Sequence, residues 1–248
     1  LEFRRVLFRS AGMSIAGQLA EEDVTYVVAA LLDSVGRVGG IEPGSIARFL
    51  NHDDDDVRRA ALVALARLEW TETDETLRSM LTQGSTRDGA VAAGAVGELE
   101  RKDFMNELTD LIEVPEIRPV ALDALARVGS AAVPVLASVL DRRELPLPLR
   151  RTVISALSNI KDDQTKTTLV ALVNDPALGP AALHSLSRMR QDGTIGPIEE
   201  AELRTVLREQ MQDGLVLSAA SSIIRATAKG ARDSFIASEL QGLHGRSV

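Results

Sequence analysis

An all-α fold, built as a right-handed solenoid of antiparallel helix pairs, is predicted by three features of the sequence. The first is a recurring twelve-residue stretch, clearest at residues 57–68 (VRRAALVALARL) and 117–128 (IRPVALDALARV). Copies at 149–160 (LRRTVISALSNI) and 178–189 (LGPAALHSLSRM) keep its grammar, and a weaker one runs over 88–99 (DGAVAAGAVGEL). Together they align Ala61, Ala92, Ala121, Val153 and Ala182 in one column at offsets of 31, 29, 32 and 29 residues, a near-constant period that marks stacked repeats. The second is composition: 45% of the residues are apolar but only 3% are aromatic, which suits close-packed helices better than a β-sandwich. The third is punctuation, since the nine Pro and 18 Gly fall mostly between the periodic segments.

Each copy reads as one helical face. Ala61, Leu62, Leu65 and Leu68 follow the i, i+1, i+4, i+7 rhythm of an amphipathic helix. Leu65, Val96, Leu125, Leu157 and Leu186 form a second column; Leu68, Leu99, Val128, Ile160 and Met189 form a third. The small column is expected to let a neighbouring helix approach closely, and the Leu column to fill the space beside it. Arg58, Arg118 and Arg150 share a position near the helix start, interrupted by Gly89 and Gly179. A cation there opposes the helix dipole, so its recurrence predicts a hydrogen-bonded role between repeats. A loop Asp followed by a V-R or L-R pair and then small-x-x-x-Leu resembles the second helix of HEAT repeats, over residues 41–190. That resemblance implies helix pairs whose second helices line a concave surface.

Taken in order, residues 1–10 (LEFRRVLFRS) match nothing that follows and are expected to be a non-native leader. Residues 11–44 are expected to form an N-terminal helical cap, with a helix from Glu21 to Val38 that has an acidic first turn and stops at Gly39-Gly40. Residues 45–190 are predicted to hold five HEAT-like helix pairs, the first opening with a short helix from Pro43 to Leu50. The turn Asn51–Asp56 (NHDDDD) has carboxylates at alternate positions, as a calcium loop would, but lacks the loop Gly and distal Glu. Capping of the next helix is the simpler reading. First helices are then expected at 75–82, 104–113, 131–140 (with Pro134 in the first turn, where proline is tolerated) and 165–173. Trp70 is expected to cover the core beneath a turn. Residues 191–248 are expected to be a C-terminal helical cap and tail, with helices at 197–212, 214–229 and 234–243.

The side chains that carry chemistry are sparse. There is no Cys, which removes disulfides, thiolate metal sites and a cysteine nucleophile, and fits a cytoplasmic protein. A net charge of −8 argues against general nucleic-acid binding. The longest apolar runs, Val24–Leu32 and Leu215–Ile224, fall short of the about 20 residues a membrane span needs. His52, His184 and His244 stand apart without metal-ligand spacing, and neither a P-loop nor a G-x-S-x-G elbow occurs. The expectation is therefore a chain that is not an enzyme and holds no metal or cofactor. What remains is a column of outward residues on the second helices, Arg67, Glu98, Arg127, Asn159 and Arg188, joined by Arg59 and Arg151. A strip made of Arg59, Arg67, Arg127, Arg151 and Arg188 points to a monomeric protein-interaction scaffold that could grip an acidic protein partner through bidentate guanidinium contacts. Arg67, Arg127 and Arg188 also stand in last turns, where a cation suits the helix dipole in itself.

A longer likeness covers residues 133–217. The run VPVLASVLDRRELPLPLRRTVISALSNIKDDQTKTTLVALVNDPALGPAALHSLSRMR resembles the soluble HEAT module of bacterial membrane proteins that begin with an ATP/ADP translocase-like domain. The L-P-L-P-L-R-R start, the N-D-P turn and the S-L-S-R-M-R helix end carry it. That resemblance implies an alternative, a cytosolic regulatory segment of a larger transporter, and assigns neither transport nor nucleotide binding to any residue here.

Overall fold

A computed structural model describes residues 14–193 apart from Ala16 and Ala20. The expected leader at 1–10 and the helices expected at 197–212, 214–229 and 234–243 lie outside the described residues. All regular structure among the described residues is helical. The chain divides into two compact units, residues 1–128 and 129–248. The sequence carries no shift in apolar composition to announce this division. It falls at Gly129, whose φ of +81° lies in the left-handed region that favours glycine.

Unit 1 contains α1 (Thr25–Val38), α2 (Pro43–Ala47), α3 (Asp55–Arg67), α4 (Thr73–Thr82), α5 (Thr86–Glu98), α6 (Met105–Leu111) and α7 (Arg118–Val128). A 3-10 turn at Arg48–Asn51 extends α2, and another at Lys102–Phe104 leads into α6. Helices α2, α4 and α6 each pack on the second helix of their pair, and α1, α3, α5 and α7 lie side by side as one layer. Unit 2 contains α8 (Val133–Asp141), α9 (Leu147–Leu157), α10 (Asp163–Leu172) and α11 (Gly179–Gln191), paired α8 with α9 and α10 with α11. Residues Arg118–Asp141 have the length and hydropathy of a membrane span, but a 3-10 turn at Gly129–Ala132 breaks them. Leu122, Leu125, Val133, Leu136 and Val139, which make the stretch apolar, are buried against protein.

Local chemistry explains where the helices start. Asp54 caps α3, its carboxylate accepting from the backbone N–H of Asp56 at 2.9 Å and of Val57 at 3.2 Å. Its acidic neighbours are neutralised at close range, Asp55 by Arg58 and Arg87, Asp56 by Arg59. Ser85 and Asp88 form a reciprocal capping box on α5. Helix α1 begins at Thr25 rather than Glu21, because Val24 is extended (φ −81°, ψ 111°) and its N–H is taken by the Glu22 carboxylate at 2.9 Å. Ends are equally local. Glu69 and Glu100 hold the left-handed position after α3 and α5 (φ 56° and 52°), at the repeat position that Gly129 occupies after α7. The next N–H in each case, Trp70 and Arg101, closes back onto Leu65 and Val96, the pattern of a Schellman end.

The repeated arginine acts within its own repeat. Arg58 donates from Nε to the Leu50 carbonyl at 3.1 Å, Arg118 to Ile112 at 2.7 Å, and Arg150 from Nε and Nη2 to Leu140 at 2.9 and 2.6 Å. Each therefore satisfies a carbonyl left open at the end of the preceding helix, which outweighs its unfavourable place at a dipole's positive end. The link between repeats that the column suggested is seen, among the described residues, at Arg58, which also donates to the Asp88 carboxylate of α5. Where the column breaks, at Gly89, a Cβ would stand 2.9 Å from Ile117 Cδ1, so the end of that side chain would have to shift to admit one.

Close helix approaches are also found off the expected column. Ala61, Ala92 and Ala121 are fully buried, and tight crossings are made three residues on, at Ala64 and Ala124. These face Gly36 of α1 and Gly97 of α5, where an added Cβ would stand 2.8 and 2.7 Å from the alanine Cα atoms. Helix α1, expected in a cap, thus packs on α3 through the same crossing that α5 makes with α7.

The Arg58–Asp88 pair has a pH signature. Hydrogen bonds from the Arg58 guanidinium and from Ser85 hold the Asp88 carboxyl below the usual carboxylate range. A folded value below the unfolded one of about 3.9 adds stability that is complete above that pH. The contribution is lost as the pH falls through the folded value. Asp88→Asn should therefore be less stable than the parent at neutral pH, with the gap in urea midpoint narrowing below about pH 4. A gap independent of pH would assign the loss to packing instead.

Candidate functional site

The side-by-side layer of unit 1 carries a groove of about 290 Å³ across α3, α5 and α7. Ala90, Val91, Gly94 and Val120 form its apolar part. Gly94 is what keeps the floor low: the aliphatic stem of Arg59 crosses it, and a Cβ there would stand 3.0 Å from Arg59 Cδ. Six charged side chains rim the groove, Asp55, Asp56, Arg59, Glu98, Asp123 and Arg127.

The arginines expected to form a basic strip fall in both units and are engaged. Arg59 donates to Asp56 at 2.8 Å and Glu98 at 3.1 Å. Arg67 pairs with Asp33 of α1 at 2.5 Å and with Glu98 at 3.5 Å. Arg127 pairs with Asp123 one turn back at 2.8 Å, and that carboxylate raises the guanidinium's pKa, with a smaller contribution from Glu98. In unit 2, Arg151 donates to the Ala177 carbonyl at 3.3 Å, and Arg188 donates to Ser158 Oγ, the Ser155 carbonyl and Asn159 Oδ1.

Unit 1 therefore carries an alternating ladder, Asp33–Arg67–Glu98–Arg59–Asp56, with Arg127 held on Asp123, rather than a row of free cations. Only Arg59 and Arg127 of the five line the groove, while Arg67 is turned into the ladder. The sequence held part of this, because Glu98 interrupts the arginine column at the repeat position between Arg67 and Arg127. Gly94 and Asp123 carried no comparable signal: their column also holds Val63 and Ser155, and only packing makes it the floor, with Val120 three residues before Asp123 on α7.

No candidate centre for metal or nucleophile chemistry accompanies the groove. Among the described residues no three His, Cys, Asp or Glu side chains group to hold a metal ion. His52 is occupied locally, Nδ1 accepting from the Asp54 N–H at 3.0 Å, and His184 is exposed on α11.

Comparison with known proteins agrees with the repeat architecture. The PBS lyase HEAT-like repeat family matches residues 57–83, which span α3 and α4. Residues 57–83 carry a HEAT-like repeat. A search of the curated proteins found no match. Among solved structures, human deoxyhypusine hydroxylase in complex with glycerol matches with 13% identity and a TM-score of 0.34, covering 90% of this chain and 97% of that one. The expectation that the chain is not an enzyme is withdrawn, the matched structure being that of an enzyme. At this identity and TM-score the match transfers neither a site nor a reaction to any residue here.

Proposed function

We propose that unit 1 is a docking platform for a protein partner, used through the layer of α1, α3, α5 and α7. One observation carries this reading, the groove across three adjacent second helices, with an apolar floor and a rim of charged groups. An extended segment could lay side chains on Ala90, Val91 and Val120 while its polar groups meet the rim, the usual division between an interface core and its edge. The likeness of residues 133–217 to the module of translocase-like membrane proteins concerns the other unit and adds no residue to this groove.

The test is to fill the groove without harming the fold. Gly94→Leu puts a branched side chain onto the floor, where the nearest atom is the flexible Arg59 Cδ, and it removes a helix-weakening glycine. The variant should melt no lower than the parent and should lose at least one protein that the immobilised parent retains from a lysate. Identical captured sets for parent and variant would overturn the groove as the docking surface.

A further inference from the structure

We infer that the occupant of the groove is a segment of a protein partner bearing Lys or Arg side chains, an inference that rests on the docking reading above. Charge is divided unequally between the two units. Residues 1–128 hold 23 acidic and 14 basic side chains, a net −9, while residues 129–248 hold 13 and 14, a net +1, so the negative charge of the chain resides in unit 1. The groove shares that sign, with four carboxylates on its rim against two guanidinium groups. Asp55, Asp56 and Asp123 are among the more exposed of the paired acids, with half or more of each side chain accessible. Their pairs with Arg87, Arg59 and Arg127 lie at the surface, where water and salt leave such pairs weak.

An incoming ammonium or guanidinium can therefore share a rim carboxylate without a large loss, its stem lying along Val91 and Val120. An acidic segment would meet the same four carboxylates, and it could reach Arg59 or Arg127 only by competing with groups already in place. The surplus negative potential of the unit also steers a cationic segment toward the surface and repels an anionic one. The free-arginine strip that favoured an acidic partner is absent from this groove.

The probe is a short labelled peptide of alternating Lys and Ala, with a Glu-Ala peptide as its opposite, followed by fluorescence anisotropy against the full chain. The Lys peptide should bind and weaken as salt rises toward about 150 mM, where the Debye length is about 8 Å; the Glu peptide should not bind. Glu98→Gln with Asp123→Asn should weaken the Lys peptide about tenfold or more. Glu72→Gln with Glu116→Gln, which removes the same charge away from the groove, should weaken it far less. Equal losses for the two pairs would mean diffuse attraction and overturn the inference, as would preferential binding of the Glu peptide. If Gly94→Leu abolishes partner capture but the Lys peptide fails to compete with that partner, the docking reading stands and the charge assignment falls.

Discussion

Leu125→Ala should lower the stability of unit 1 by about 2–5 kcal/mol, the range for emptying a leucine-sized volume in a core that relaxes only in part. Leu125 is fully buried on α7, in the column shared with Leu65 and Val96, all at 0% exposure. Two residues away, Asp123 projects from the same helix into solvent, and its contact is the surface pair with Arg127. Asp123→Ala should therefore stay within about 0.5 kcal/mol of the parent. Urea denaturation of the two variants provides the comparison. Equal midpoints would mean that the core of α7 does not follow the twelve-residue register.

A second large effect is expected at Gly97, with a sign opposite to the one helix propensity suggests. In a helix interior, Gly→Ala ordinarily gains about 0.5–1 kcal/mol. At Gly97 the new methyl would stand 2.7 Å from Ala124 Cα and 2.9 Å from Ala124 Cβ, atoms of the neighbouring helix that cannot swing away. Helices α5 and α7 must separate, and overpacking of this kind costs about 1–3 kcal/mol. Gly94, three residues earlier on α5, is the control. There the crowded atom is the end of a flexible arginine stem, so Gly94→Ala should raise the melting temperature. Thermal unfolding should thus move in opposite directions for two identical substitutions on one helix. A rise for both would show that the α5–α7 crossing is looser than the backbone distances imply.

The two arginine columns of the repeats separate what kind of information a repeat carries. The buried one, Arg58, Arg118 and Arg150, was visible as a recurrence, and its recurrence reported a demand shared by each copy, a bare carbonyl at the end of the preceding helix. Its acceptor could not be seen, because a dipole argument names what the site disfavours but not which distant group compensates. The exposed one, Arg67 and Arg127 with Arg59 nearby, was visible as a run of positive charge. Its neutralisation came in part from Glu98 in the same column, and otherwise from Asp33, Asp56 and Asp123, which lie off that column and become neighbours only through helix geometry.

By itself the sequence determined the helical class, the pairing of helices and the core columns, because these follow from apolar periodicity and from breakers that act within a few residues. Capping at the Asn51–Asp56 turn was legible for the same reason, as Asp54 acts on N–H groups two and three positions away. Only the tertiary structure decided the rest: that Gly36 and Gly97 are the tight crossings, that the chain divides at Gly129, and that a groove opens over Gly94. Each of these depends on which atoms of one helix stand against another some 30 positions away in the chain. A glycine's spelling is the same whether a helix, a guanidinium stem or open space lies above it.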